Sequence, residues 1–153
     1  MHAFVSSKLD VNNGLLYDVT APMQKVQNSA ARLICGIKKR DHITPTLREL
    51  HWLPVKCRIE FKILLTCFKA RCGIAPSYLS CLLKNQTRAR QTRSSSSELL
   101  IVPRSKTGYG DRSFSVAAPK LWNRLPLEIR SIRTINSFKT ALKSWLFKKH
   151  YNI

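Results

Sequence analysis

The stretch His42–Ala70, HITPTLRELHWLPVKCRIEFKILLTCFKA, decides the fold because it combines the densest apolar content with clear helix boundaries. Thr44 followed by Pro45 predicts a helix start, with threonine as the N-cap and proline at the first helical position. This helix is expected to end at Leu50, since the residue before Pro54 is pushed out of helical geometry. A longer second helix is expected from Pro54 to the end of the stretch.

The apolar residues of this second helix cover more than one face, which predicts burial on two sides. We therefore expect a mainly α fold, a small irregular helical domain with five to seven short helices around this one and at most one short β-hairpin. The apolar residues are Val55, Ile59, Phe61, Ile63, Leu64, Leu65, Cys67 and Phe68.

Charge is the unusual feature of the composition. The 153 residues include 27 lysines and arginines against 8 acids, a net charge of +19. Such a chain is attracted to polyanions, so nucleic acid is the first candidate partner and an anionic membrane surface the second. Five cysteines, an odd number without a CxxC pair, favour a reducing compartment over a disulfide framework. With no signal peptide and no membrane-spanning run recognised, we expect an intracellular chain, in nucleus or cytoplasm, that is not secreted.

Helical patterns flank the central stretch. Residues 3–17 suggest a first helix. A second is expected after Thr20, with Gly36 as its C-terminal stop. Its apolar residues recur at helical spacing; they are Met23, Val26, Ala30, Leu33 and Ile37. A short helix is expected at Ser77–Leu83.

The chain changes character after this helix. Lys84–Ser97 reads as a linker or exposed loop. Leu99–Val102 is a short β-type run that pairs with Ser113–Val116 in the expected hairpin. Ser115 is then expected to cap a helix with Pro119 in its first turn.

Further helical turns are expected near the C-terminus. Leu127–Arg130 reads as one turn. The last helix is expected to be capped by Asn136 or Ser137, and it shows the cleanest amphipathic pattern in the chain. Its apolar stripe is Phe138, Ala141, Leu142, Trp145 and Leu146.

Taken in order, several pieces of the chain resemble the C-terminal end of a reverse transcriptase from a LINE-type (non-LTR, Jockey/Rex-like) retrotransposon. The pieces cover most of the chain, and their order is more specific than any one of them. They are AFVSSKLD…LLY at Ala3–Tyr17, MQKVQNSAARLICG at Met23–Gly36, DHITPTLRELHWLPVKCRIEFKILL at Asp41–Leu65, GIAPSYLSCLL at Gly73–Leu83, VPRSKTGYGDRSFSVAAPKLWNRLP at Val102–Pro126 and SFKTALKSWLF at Ser137–Phe147.

The resemblance implies the organisation of the chain. Residues 1–40 would be a thumb-like helical hairpin of the kind that grips the template–primer duplex. Residues 41–83 would form a central helical core, 84–112 a basic loop or linker with the hairpin, and 113–153 the C-terminal helices.

The resemblance also implies a fragment without an active site. Polymerase chemistry needs clustered aspartates that hold two metal ions, whereas no two of the eight acids here are adjacent. The palm and the endonuclease of the parent RNA-directed DNA polymerase are both absent. We therefore expect no enzyme activity, no cofactor, no metal and no small-molecule substrate.

Basic residues around one tyrosine make the candidate nucleic-acid site. They are phosphate-contacting candidates, and the tyrosine is a stacking candidate. A solvated loop that happens to be basic is the alternative. The last helix could also lie on a membrane, but docking by its apolar stripe is favoured and is compatible with phosphate contact. The candidates are Arg88, Arg90, Arg93, Arg104, Lys106, Tyr109 and Arg112, with Lys143, Lys148 and Lys149 of the last helix.

Two chemical sites are weighed and set aside. Cys35, His42, His51 and Cys57 match no zinc knuckle, because structural zinc ligands usually pair two to four residues apart. Cys67 and Cys81 are expected on apolar helix faces, where thiols are inert rather than nucleophilic.

The three tryptophans, Trp52, Trp122 and Trp145, each have apolar neighbours in the sequence. They are predicted to be core anchors rather than stacking platforms for bases.

The expected function is binding of RNA or RNA–DNA duplex, mainly through backbone charge. The rest of the polymerase is a further candidate partner, and membrane is not expected. The alternatives are a relic open reading frame without function and a basic peripheral membrane or partner-docking module.

Overall fold

The computed structural model describes residues 17, 20–86 and 98–152. Those ranges are mainly helical, which confirms the predicted fold class, and their only β structure is one antiparallel bridge between Asn85 and Leu100. They hold eight helices, that is, seven besides the central one, in agreement with the expected five to seven. In chain order these are α1 (Ala21–Cys35), α2 (Ile43–Glu49), α3 (Val55–Arg71), α4 (Ser77–Cys81), α5 (Gly108–Arg112), α6 (Phe114–Asn123), α7 (Leu127–Arg130) and α8 (Ile135–Tyr151).

The chain forms two compact units, which we describe separately. The described part of the first unit is residues 17, 20–60 and 145–152, and that of the second is 61–86 and 98–144. The helix expected at residues 3–17 lies outside the described residues except for Tyr17, which is buried.

The central stretch folds as the sequence predicts, with one shift. α2 starts at Ile43, two residues before the expected position, because His42 rather than Thr44 takes the extended N-cap conformation. Pro45 thus becomes the third helical residue, where a missing N–H still breaks no helical hydrogen bond. α3 runs from Val55 to Arg71, within one residue of the prediction at both ends.

Helix α1 has the expected limits but an unexpected orientation. Gly36 ends it with a left-handed φ of 64°, as predicted. Two members of the predicted apolar stripe, however, are mostly exposed, Val26 at 56% and Leu33 at 74%, whereas Met23, Ala30 and Ile37 are partly buried. The buried residues of α1 are Gln27 and Ala31 instead.

Two glutamines explain that orientation. Gln27 is 1% exposed, and its Nε2 donates to the carbonyl of Leu53 at 2.9 Å. The N–H of Val55, at the start of α3, donates to Gln24 Oε1 at 2.9 Å. The polar side of α1 therefore satisfies backbone groups that flank Pro54 and that helix geometry leaves without partners.

The core of the first unit forms around Trp52, Leu47 and Ala31. Trp52 is 5% exposed, so the prediction that it is a core anchor is confirmed. Tyr151 packs against this cluster, and its hydroxyl donates to the Trp52 carbonyl at 2.8 Å.

The predicted hairpin between Leu99–Val102 and Ser113–Val116 is wrong. Residues 114–116 are the first turn of α6. Ser113 is the extended N-cap of that helix, and its carbonyl accepts from Ala117 N at 2.8 Å. A four-residue segment such as SFSV fits a strand and a helix equally well, and here it opens a helix although the Ser113 side chain makes no cap hydrogen bond.

The β-type run, Leu99–Val102, pairs instead with a segment earlier in the chain. Gln86 N donates to Leu99 O at 2.9 Å, and Ile101 N donates to Lys84 O at 2.8 Å. We call these two facing segments, residues 84–86 and 99–101, the neck. The Asn123 amide closes its other side: Oδ1 accepts from Leu100 N at 2.9 Å and Nδ2 donates to Leu100 O at 2.8 Å.

The start of α6 also moves Pro119 away from its expected place. The prediction put Pro119 in the first turn, but it is the sixth residue of a helix that starts at Phe114. Its missing N–H costs one helical hydrogen bond. Burial offsets this cost, because Pro119 is among the fully buried residues beside Val116, Ala117 and Ala118.

Aromatic rings make the core of the second unit. Phe68 and Phe138 stack with centroids 4.3 Å apart, and Trp122 lies 5.9 Å from Phe138. Trp122 is buried, as predicted, and its indole N–H donates to the Glu98 carbonyl at 2.9 Å. The indole N–H, the one polar group of these three rings, therefore has the hydrogen-bond partner that a buried tryptophan requires.

Helix α8 confirms the amphipathic pattern. Phe138, Leu142 and Leu146 are buried, whereas Trp145 is only partly buried. The helix begins at Ile135, ahead of both predicted caps. Among the described residues, no helix is both long and apolar enough to cross a membrane.

Candidate nucleic-acid interface

The predicted basic residues are only partly within the described chain. Arg88, Arg90 and Arg93 lie outside the described residues, so they remain predictions. Arg104 and Lys106 are exposed and precede helix α5, which lies in the second unit.

The Arg104–Arg112 segment is more ordered than the sequence suggests. It was expected to be loop throughout, but Gly108–Arg112 is a helix of five residues. Thr107 is its N-cap, and Oγ1 accepts from Gly110 N at 3.1 Å. A Cβ at Gly110 would collide with Ser105 Oγ, so a larger residue here would require the serine side chain to turn away. The signal in the sequence was a cap-type threonine followed by Asp111 in the first turn.

Helix α5 brings two of the predicted residues together. The Arg112 guanidinium lies 4.7 Å from the centroid of the Tyr109 ring, a cation–π contact. Arg112 Nε also donates to Gly108 O at 3.1 Å, which fixes the guanidinium over the ring. Tyr109 is 83% exposed, far more than a core tyrosine. The pair therefore presents a flat aromatic surface and a positive charge at one place.

Ion pairs separate the available cations from the neutralised ones. Lys120 pairs with Asp111 at 2.8 Å. Arg71 and Arg133 both pair with Glu98, at 3.4 and 3.3 Å. Arg71 also stacks on the Trp122 ring at 4.6 Å. These four contacts assign structural roles to three cations that the sequence alone counts as free charge.

Arg104, Lys106 and Arg112 are different. None of the three pairs with a carboxylate in the described part of the chain. Their charge is therefore available to an outside anion, together with the exposed face of Tyr109.

The lysines of α8 divide between the two units. Lys143 is exposed and belongs to the second unit, and no described hydrogen bond or ion pair joins it to the Arg104–Arg112 segment. Lys148 and Lys149 are exposed and belong to the first unit. Lys149 Nζ lies 4.6 Å from the centroid of the partly exposed Trp145 ring. The prediction that Trp145 is a core anchor is therefore only partly right.

Comparison with known proteins adds no identification. No family model, curated protein or solved structure matches the chain. The functional argument therefore rests on the residues and their geometry.

The suggested zinc set does not assemble. Within residues 17, 20–86 and 98–152, no group of three or more histidine, cysteine or acidic side chains is arranged to hold a metal ion. Cys35 is exposed on α1, whereas Cys57 is buried on α3.

The cysteines fall into an exposed and a buried class. Cys67 is buried, as expected, but Cys81 is exposed, which corrects its placement on an apolar face. Burial raises the pKa of the Cys67 thiol to about 12. Burial, with the nearby Glu60 carboxylate, raises the pKa of the Cys57 thiol to about 11. Neither thiol forms appreciable thiolate near neutral pH, so neither is a nucleophile.

A thiol titration tests this division. With an aromatic disulfide reagent at pH 8, we expect fast modification of Cys35, Cys72 and Cys81 only. Cys57 and Cys67 should react at least about 100-fold more slowly, because they are buried and protonated. Their rates should keep rising with pH up to about 11 and 12. In denaturant all five should react together; five fast thiols in native buffer would contradict the burial.

Proposed function

We propose that the chain is a non-catalytic C-terminal segment of a LINE-type retrotransposon reverse transcriptase that binds RNA or RNA–DNA duplex. The ordered set of pieces from Ala3 to Phe147 supports the family, and the net charge of +19 supports the ligand. The chain would work inside the cell, in nucleus or cytoplasm, with the rest of the polymerase as its second partner.

The observation that carries the proposal is the Arg104–Arg112 segment. It holds three cations without carboxylate partners among the described residues and an 83% exposed tyrosine under a guanidinium. Nucleic acid offers phosphates for the cations and base faces for the aromatic ring.

The kind of recognition also follows from these residues. Contacts to phosphate groups fix where a protein lies on a duplex, but they do not recognise the base sequence. The proposal assigns the three cations of the segment to phosphates, and the segment has no Asn or Gln side chain for paired hydrogen bonds to adenine. Binding should therefore depend on backbone charge and duplex shape, with little preference for sequence.

A salt series tests the proposal. Binding of the full chain to an RNA–DNA hybrid, double-stranded DNA and single-stranded RNA is measured by fluorescence anisotropy. A variant with Arg104, Lys106 and Arg112 changed to alanine should bind more weakly. Its log K against log salt slope should be shallower by about 1 for each phosphate contact removed.

A matched variant controls for total charge. Lys56, Arg124 and Lys139 are exposed, and changing them to alanine removes the same three charges outside both the candidate interface and residues 1–40. The proposal requires this control to keep more affinity than the first variant. Equal losses in both would mean diffuse attraction and would end the assignment of the interface. A third variant, with Arg88, Arg90 and Arg93 changed, tests the undescribed part of the loop.

Helix α1 favours a second candidate function, partner docking. Val26, Leu33 and Ile34 are large apolar side chains with 56%, 74% and 40% of their surface exposed. Exposed apolar surface of this kind marks an interaction site or an unpaired piece of a larger core. Size-exclusion chromatography would distinguish these functions: self-association or aggregation without nucleic-acid binding would favour docking or a relic chain over our proposal.

A further inference from the structure

A cleft of about 730 Å³ in the first unit collects unusual side chains. Its walls come from α2, from the turn after α2 and from the C-terminal end of α8. Three of the four histidines in the chain line it, namely His42, His51 and His150, together with Arg48 and Tyr151. The volume is within the range of about 300–1,000 Å³ that small-molecule sites occupy.

The backbone at the cleft is in a disfavoured conformation. His51 has a φ of 52° and Asn152 a φ of 51°. These are two of the three non-glycine residues with positive φ in the described part of the chain, and both line the cleft. Glycine would be relaxed at position 51, so a histidine there costs stability. Both residues follow the end of a helix, α2 or α8, where a left-handed residue commonly terminates the helix. At position 51 this termination fixes the direction in which the histidine side chain leaves the backbone.

The ring of His51 is held in place. Its Nδ1 lies 3.1 Å from the carbonyl oxygen of Arg48. Since a carbonyl only accepts, Nδ1 carries the hydrogen, and Nε2 is left for another partner. The ring also packs edge-on against Phe147, with centroids 5.9 Å apart. Phe147 in turn contacts the Tyr151 ring at 4.6 Å.

Arg48 gives the cleft one cation to which an anionic group could bind. Arg48 is exposed, and within the described residues its guanidinium has no hydrogen-bond or ion-pair partner. Glu49 is the one carboxylate of the lining. Burial raises the pKa of Tyr151 to about 12 and lowers the pKa of His150, so the first adds no negative charge and the second remains neutral at pH 7.

These features combine a guanidinium, imidazole edges and aromatic walls in one concave site. Guanidinium groups bind phosphate with two parallel hydrogen bonds, and flat rings suit a base. We propose that this cleft binds a nucleoside phosphate, with Arg48 on the phosphate and with His42, His51 and Tyr151 around the base and sugar. The inference goes beyond the proposed function, because none of these residues belongs to the candidate nucleic-acid interface.

Calorimetry on the full chain tests the site. Adenosine 5′-monophosphate should bind at least tenfold more tightly than either adenosine or inorganic phosphate. Arg48→Ala should weaken that binding at least tenfold. A pair of short oligonucleotides, with and without a 5′-phosphate, shows whether the ligand is a free nucleotide or a strand end. If the 5′-phosphate raises the affinity of the oligonucleotide and this gain is lost in Arg48→Ala, the ligand is a strand end.

His51→Gly is the decisive variant. Glycine accepts the φ of 52°, so the fold should be kept while the imidazole is lost. We expect at least tenfold weaker nucleotide binding with an unchanged or raised melting temperature. Lys25→Ala, an exposed cation in the same unit and outside the cleft lining, should bind as the unchanged chain does.

Three results would overturn the inference. They are no heat of binding with the nucleotide, equal affinity for inorganic phosphate and nucleotide, and full binding by His51→Gly or Arg48→Ala. If the chain binds no nucleotide but still binds the RNA–DNA hybrid in a salt-sensitive way, only the inference about this cleft is wrong. The proposed function would then be unaffected.

Discussion

Replacing Phe138 with alanine is expected to lower the free energy of unfolding by about 3–5 kcal/mol, the usual cost of truncating a buried phenylalanine. The Phe138 side chain is fully buried and stacks on Phe68 at 4.3 Å. Trp122 lies 5.9 Å away on another side. Alanine would remove the ring that joins the other two and leave a cavity between them.

Urea denaturation followed by circular dichroism measures the loss. Phe138→Leu is the matched control, because it keeps an apolar side chain of similar volume and should cost less than about 1.5 kcal/mol. Near-ultraviolet circular dichroism of the aromatic rings should change in the alanine variant. A loss below about 1 kcal/mol for Phe138→Ala would mean that this aromatic cluster is not the core of the second unit.

Replacing Asn123 with alanine should have the second largest effect, a loss of about 2–4 kcal/mol. Leu100 is 2% exposed, and the Asn123 amide is hydrogen-bonded to both its N–H and its carbonyl, at 2.9 and 2.8 Å. Alanine would leave these two backbone groups buried without that partner, at about 1–3 kcal/mol each.

Two variants make this prediction specific. Asn123→Asp keeps an acceptor for Leu100 N but places a carboxylate against Leu100 O, so it should not restore stability. Asn136→Ala removes an exposed amide on α8 and should change stability by less than about 0.5 kcal/mol. If Asn123→Ala and Asn136→Ala were equally stable, the amide contact would not hold the neck.

Helix limits were largely predictable from the sequence, because they depend on local chemistry. Gly36 ends α1 in the left-handed conformation that glycine favours, and Pro54 separates α2 from α3. The stripe of α8 was also predictable, since Phe138 and Leu142 share one face at helical spacing and are both buried.

The orientation of α1 was not predictable from periodicity. Spacing shows which residues share a face, but not which face the rest of the chain covers. Here Gln27 and Gln24 face inward because backbone groups at Leu53 and Val55 need partners. Those partners are 26 and 31 residues away, beyond any local pattern.

The candidate interface was predictable only as a set of charges. The sequence identified Arg104, Lys106 and Arg112, and it could not show that Lys120 is neutralised by Asp111. It missed α5, because a five-residue helix containing two glycines opposes ordinary helix propensity and depends on the Thr107 cap. It also missed the cleft, whose histidines come from positions 42, 51 and 150.

The neck has a consequence for how this chain tolerates change in length. Residues 84–86 and 99–101 hold each other by two backbone hydrogen bonds, and Asn123 holds Leu100 from α6. Both ends of the intervening segment are thus fixed independently of what lies between them. Doubling the length of a segment closed in this way costs only about 0.6 kcal/mol. The neck therefore predicts that the fold, as distinct from nucleic-acid binding by Arg88, Arg90 and Arg93, tolerates a tag, a protease site or a second domain inserted within residues 87–97.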